Sequence, residues 1–179
     1  MEKLFCIVET KIENQKDFDD YWKSEFLYTL GNIYRKMEMN DKAIEKLRLS
    51  DLVVQDLDEH NYPSLILIAE ILNQQGVSSS NLDMIQQAVD QARLVKELME
   101  TNECPHIYAA EILLASLLYN LCHYRSRFGV QEKDMQNLMK ESYMLAKSGS
   151  QGAMKAGDKA QVAKAAIVMN NFDTRKGSN

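Results

Sequence analysis

The residues of this 179-residue chain best suited to chemistry are three histidines, three cysteines and two acidic runs. Glu103-Cys104-Pro105-His106 carries the Glu-x-x-His spacing of di-iron helical bundles. Such centres need a second copy of the motif and two more inward carboxylates, all on helix interiors. Here a proline interrupts the single copy, so a capping Glu and a surface His are the expected roles. His60, His106 and His123 are too dispersed for a zinc signature. Cys122 and His123 are adjacent, which denies them the shared helical face that a nucleophile and its base require. The runs Asp17, Asp19, Asp20 and Asp56, Asp58, Glu59 offer alternating oxygens but lack the glycine that turns a calcium loop, and so read as solvated helix ends. The chain has no P-loop, dinucleotide fingerprint or Gly-x-Ser-x-Gly elbow. No catalytic residue, metal or cofactor is expected, and the chain reads as a non-enzyme.

Two stretches remain. Tyr119-Asn120-Leu121-Cys122-His123-Tyr124-Arg125-Ser126-Arg127-Phe128 gathers cations and aromatics in an acidic chain. It has the composition of a patch for an acidic peptide, phosphate or RNA. Its simpler reading places Arg125 and Arg127 at a helix C-terminus, where they complement the dipole, with Tyr124 and Phe128 in the core. Met135, Met139 and Met144 suit an adaptable binding surface, though core packing is the expectation for them.

The positioning elements follow from composition. Seven glycines and two prolines leave little material for tight turns, while Leu, Met, Glu, Lys, Gln and Ala favour helix. The expected fold class is all-α, with about seven helices. A net charge of −5 argues against a nucleic-acid partner. Cys6, Cys104 and Cys122 lack Cys-x-x-Cys spacing and read as reduced thiols. Leu4–Val8 is too short for a secretory core, and no apolar run could span a bilayer. A cytoplasmic protein without a membrane partner is expected.

Apolar spacing outlines the helices. Trp22, Phe26, Leu30, Ile33, Tyr34 and Met37 share a face of the first, and Asn40-Asp41 caps a second carrying Ala43, Ile44, Leu47, Val54 and Leu57. Pro63 opens a third, apolar nearly all round and stopped by Gly76; Asn81 then caps a fourth. Pro105 opens a fifth that runs to Gly129. The sixth ends before Gly149, Ser150 and Gly152, which precede an Ala-rich helix. Glu2–Ile12 suits a further helix. The expected domain is 1–172, with hairpins at about 21–57, 63–100 and 105–147, a capping helix at 153–172 and a frayed tail at 173–179.

Ala-Glu-Ile-Leu occurs at Ala69–Leu72 and again at Ala110–Leu113, about 41 residues later, a spacing used by helical repeats. Leu27-x-x-Leu30-Gly31-x-x-Tyr34, followed by Ala43 and Leu47, resembles the tetratricopeptide repeat. In that pattern Gly31 admits a neighbouring helix, Tyr34 fills a groove and Ala43 marks the crossing of a hairpin. Ala69 and Leu72 take the glycine and tyrosine positions of the second hairpin. The chain departs from the pattern at Gln55, where the family has a proline, and at the excess around Val77–Leu82. The resemblance implies an α-solenoid of stacked antiparallel hairpins whose first helices line a concave groove. It places Glu25, Tyr28, Asn32 and Arg35 on that groove, then Ile66, Glu70 and Asn73, then Tyr119, His123 and Arg127. Gly31-Asn32 matches part of the chaperone-tail clamp, but Tyr28 stands where the clamp lysine belongs. The expected function is a non-enzymatic protein-interaction scaffold that binds a partner peptide or helix, with homodimerisation through the Ala-rich helix as a further option. The alternative is a peptide- or small-ligand-sensing domain of a regulatory protein, with a closed pocket instead of a groove.

Overall fold

A computed structural model describes residues 19–55, 57, 59–127, 129 and 132–176. The expected helix at Glu2–Ile12, and with it Asp17, Asp56, Asp58 and Phe128, lies outside these residues. The described residues form seven helices and no strand: α1 (Asp20–Lys36), α2 (Asn40–Gln55), α3 (Tyr62–Ser79), α4 (Leu82–Thr101), α5 (Ile107–Arg127), α6 (Glu132–Ala156) and α7 (Lys159–Lys176). The protein is all-α, and packing within each compact unit runs chiefly between consecutive helices, as in an α-helical repeat. Contacts divide the chain into a first unit ending at Leu67 and a second beginning at Ile68.

In the first unit the Asp19 carboxylate accepts from the Tyr21 N–H at 2.9 Å and starts α1, while Arg35 and Lys36 sit in its last turn. Ser24, Leu27, Leu30, Gly31 and Tyr34 are its buried stripe. The expected apolar face is broader than the surface α2 covers. Leu30 and Tyr34 are buried, Phe26 and Ile33 half-buried, and Trp22 is 66% exposed. Gly31 lies where the resemblance puts a close crossing: a Cβ there would stand 2.7 Å from Leu47 Cγ and 3.3 Å from the Ala43 carbonyl oxygen. Asn40 is the first helical residue of α2 instead of its cap, and Leu57 lies beyond the helix end, exposed.

Pro63 occupies the first turn of α3, where its missing N–H costs no helical bond. The helix does not stop at Gly76. It continues to Ser79 and ends at Ser80, whose φ is 51°. Asn81 caps α4 as its type predicts, accepting from the N–H groups of Asp83 and Met84. Pro105 falls in the turn before α5, which begins two residues later at Ile107.

The second unit has a core of Ala69, Ile85, Ala88, Val89, Ala92, Leu114, Leu117, Leu118 and Leu121, on α3, α4 and α5. Its largest departure from expectation is in α6. The segment Gly149-Ser150-Gln151-Gly152 does not separate two helices; α6 runs through it to Ala156 and turns at Gly157. No capping helix begins at 153. Gly149 is kept inside α6 by close approach, because a Cβ there would lie 2.6 Å from Ile112 Cγ1 and 3.0 Å from the Tyr108 carbonyl oxygen. The following helix, α7, runs to Lys176, three residues into the expected tail. It buries Ala165 against Tyr108, Ile112 and Ala153, and Val168 and Phe172 against Ala115 and Ala146.

Tyr108 ties the start of α5 to the turn between α6 and α7. Its hydroxyl lies 3.1 Å from His106 Nδ1 and donates to Asp158 Oδ2 at 3.5 Å. Burial raises its pKa above 10.0, with the Asp158 charge adding in the same direction. The folded state therefore favours the neutral phenol. The stabilisation is complete below the unfolded value and is lost as pH rises toward the folded one. Urea midpoints of the wild type are expected to fall as pH rises past 10.0, and Tyr108→Phe should show a shallower fall. Equal slopes would remove Tyr108 from the alkaline response.

Candidate functional site

The first unit holds a buried polar network that joins α1, α2 and the start of α3. Ser24 Oγ donates to the Ser50 carbonyl at 2.8 Å, and Ser50 Oγ returns a bond of 2.8 Å to the Ser24 carbonyl. With both hydroxyl protons so used, each oxygen can still accept. Asn61 Nδ2 supplies one proton to Ser24 Oγ at 2.8 Å and the other to Ser50 Oγ at 3.0 Å. Ser64 Oγ donates to Ser50 Oγ at 3.0 Å, and Asn61 Oδ1 accepts from the Ser64 N–H at 3.1 Å. Asn61 thus caps α3 with its oxygen and bridges the hairpin with its nitrogen. Beside it, the buried Asp51 carboxylate accepts from the Asn61 N–H at 2.8 Å and from Gln55 Nε2 at 2.6 Å, with His60 Nδ1 at 3.3 Å. Every polar group here has a partner, which is what burial at this depth demands.

On the outer side of α2 lies a recess of about 610 Å³. Ile44, Leu49, Leu52 and Leu65 give it apolar walls, and Asp41, Glu45, Arg48 and Gln55 stand around them. Leu52 is 57% exposed. None of the sequence-predicted site residues lines it.

Those residues fall in both units. Glu25, Tyr28, Asn32 and Arg35 follow one another along one side of α1; Glu25 is exposed and the other three are half-buried. In the second unit Asn120 Nδ2 donates to Asn73 Oδ1 at 3.3 Å, and the Tyr124 hydroxyl donates to the Val77 carbonyl at 3.1 Å. Both pairs are 47 residues apart, so α3 and α5 run parallel. In this register Asn73 lies beside Asn120, Glu70 is level with Leu117, and His123 and Arg127 are level with Gly76 and Ser80, so the polar residues are strung along the pair as a strip. Glu70 also faces Lys164 of α7, 4.0 Å away. Tyr119 is turned toward α7, where its ring meets Phe172 edge-on at 5.7 Å, and it belongs to the packing more than to the strip.

The cation cluster of α5 separates in space. Arg125 donates to Gln86 Oε1 on α4 at 2.9 Å, whereas Arg127 lies over the Tyr124 ring at 5.5 Å. The methionines separate too: Met139 packs beside Ala115 and Phe172, and Met144 is exposed. Among the described residues, no group of three or more His, Cys, Asp or Glu side chains is placed to hold a metal ion, and no helix is long and apolar enough to cross a membrane.

The hydroxyl network, like the recess, stands outside the expectations drawn from sequence. Its signal was two serines at core positions, Ser24 in line with Leu27, Gly31 and Tyr34, and Ser50 in line with Ala43, Leu47 and Val54. No family model and no curated protein matches the chain. A solved structure described as "DHF79 filament" is similar over 90% of this chain and 85% of that one, at 15% identity and a TM-score of 0.35.

Proposed function

We propose that this protein is a non-enzymatic interaction module of tetratricopeptide-repeat type that holds a partner peptide or helix on the polar sides of its first-of-hairpin helices. The observation that carries the reading is the parallel pair α3 and α5, joined by the Asn73–Asn120 bond and strung with Glu70, His123 and Arg127 along its length over an apolar core. An extended or helical peptide finds alternating donors and acceptors there, with the Tyr124–Arg127 stack as a firm edge. Glu25, Tyr28, Asn32 and Arg35 give α1 a comparable side. The close crossing at Gly31, Ala43 and Leu47 supports the repeat type. Cys104 and Cys122 as thiols fit a cytoplasmic setting.

Affinity capture from native lysate tests this reading. His123→Ala/Arg127→Ala is expected to lose partners that the wild type retains, and Asn32→Ala/Arg35→Ala tests α1 in the same way. Identical partner sets for the wild type and both double variants would reject the assignment.

A further inference from the structure

We propose that this chain forms a two-fold dimer in which the outer ridge of α4 in each copy lies on the outer ridge of α6 in the other. Neither ridge belongs to the α3/α5 strip, so the dimer goes beyond the function argued above and stands or falls separately. Charges on the two ridges carry it, because they are opposite, unpaired and in matching register.

Along the exposed side of α4, Asp83, Gln87, Asp90, Leu94 and Glu97 follow one another at helical intervals of four and three residues. Leu94 is 48% exposed and sits between two carboxylates. The bases flanking this ridge are already engaged: Arg93 forms two bonds with Glu141, and Lys96 pairs with Glu100. Asp90 accepts from the neutral Gln86 amide at 2.9 Å and keeps its charge.

The exposed side of α6 carries the converse set. Lys133, Asn137, Lys140, Met144 and Lys147 repeat the same intervals, each fifty residues after its counterpart on α4. Lysine answers acid at three positions, amide answers amide at one, and Met144, 58% exposed, answers Leu94. Of the acids nearby on α6, Asp134 points off the ridge and Glu141 is taken by Arg93. Among the described residues, none of the six charged side chains of the two ridges has an ion-pair partner.

The fold lets a second copy use this match. The short turn after Thr101 reverses α5 against α4, where Arg125 reaches Gln86. Ser142 and Ser148 of α6 bond to Ala115 and Glu111 of α5, so these two helices are also antiparallel. Helices α4 and α6 are therefore parallel, and Arg93 and Glu141, 48 residues apart, mark one level on them. A half-turn about an axis along the two helices lays α4 of one copy over α6 of the other, parallel and level. Partners fifty residues apart are then offset by two residues, about 3 Å, which a lysine side chain spans. Exposed ion pairs are individually weak, so the charges set register and partner while the two Leu94–Met144 contacts exclude water between them. Both copies use both ridges, so the contact is isologous and closes at two.

Sedimentation velocity on the full chain, from micromolar concentration upward and over a range of salt, tests the proposal. The wild type is expected to form a dimer and nothing larger, and less of it as salt rises. Asp90→Lys/Glu97→Lys and Lys140→Glu/Lys147→Glu each set like charges against one another, and each should loosen the dimer about thirtyfold or more. All four positions are exposed, so circular dichroism should be unchanged. Mixed in equal amounts, the two reversed variants regain both contacts and should form a heterodimer as tight as the wild-type dimer. All four substitutions in one chain, which leave the net charge as it was, should restore the homodimer. A wild type that stays monomeric throughout would overturn the proposal. So would growth past the dimer, a dimer that either reversal leaves intact, or a mixture or fourfold variant that fails to recover.

Discussion

Asn61→Ala is expected to destabilise the first unit by about 3 kcal/mol, a cap at roughly 1 kcal/mol plus two buried bridging bonds of similar worth. The truncation leaves the buried Ser64 N–H without its acceptor and takes the donor from both serine oxygens. Trp22, the single tryptophan, lies on α1 and reports urea unfolding of this unit by its fluorescence. Asn61→Asp separates the two roles. It keeps an oxygen for the Ser64 N–H but brings a buried negative charge and no protons for Ser24 and Ser50. If bridging dominates, the aspartate variant is no more stable than the alanine variant; recovery of most of the loss by aspartate would reduce Asn61 to a helix cap.

Gly149→Ala is the second large effect, at about 2 kcal/mol net of destabilisation. Alanine is intrinsically better in a helix than glycine by about 1 kcal/mol, which works against the loss. The opposing cost is steric. Its Cβ would enter the α5–α6 contact, the most extensive between any two helices here, 2.6 Å from Ile112 Cγ1 and 3.0 Å from a backbone oxygen. A side chain can rotate away, but the Tyr108 carbonyl is held in its helix, so α6 must move outward along its length. Thermal unfolding followed by circular dichroism checks this. A variant as stable as the wild type or more so would show that the α5–α6 spacing yields at little cost.

The sequence carried the helices well because their signals are local. Apolar spacing, the proline in the first turn of α3 and the asparagine before α4 act through neighbours a few residues away. Gly31 was legible for a different reason: it interrupts an apolar helical pattern, and its partners Ala43 and Leu47 lie in the adjoining helix. Gly149 and Gly152 were read as breakers because a glycine that ends a helix and one that admits a neighbour look alike locally. What decides between them is Tyr108 and Ile112, some forty residues earlier in the chain. Trp22 shares the apolar face of α1 by spacing, yet burial depends on which side of a wide apolar face meets α2. Arg125 and Arg127 read as one patch, but successive helical positions two apart point in different directions, and their partners lie on different helices.

The reciprocal serines have a consequence for how the first hairpin finds its alignment. An apolar seam between two helices changes little in energy if one slides past the other by a turn, about 5.4 Å, because one aliphatic side chain replaces another. The paired bonds between Ser24 and Ser50 exist at one alignment alone, and Asn61 can supply both oxygens only there. A one-turn slip would bury two hydroxyls against methyl groups with no partner. The network thus acts as a dowel: it sets the register of α1 on α2, and it fixes where α3 must begin.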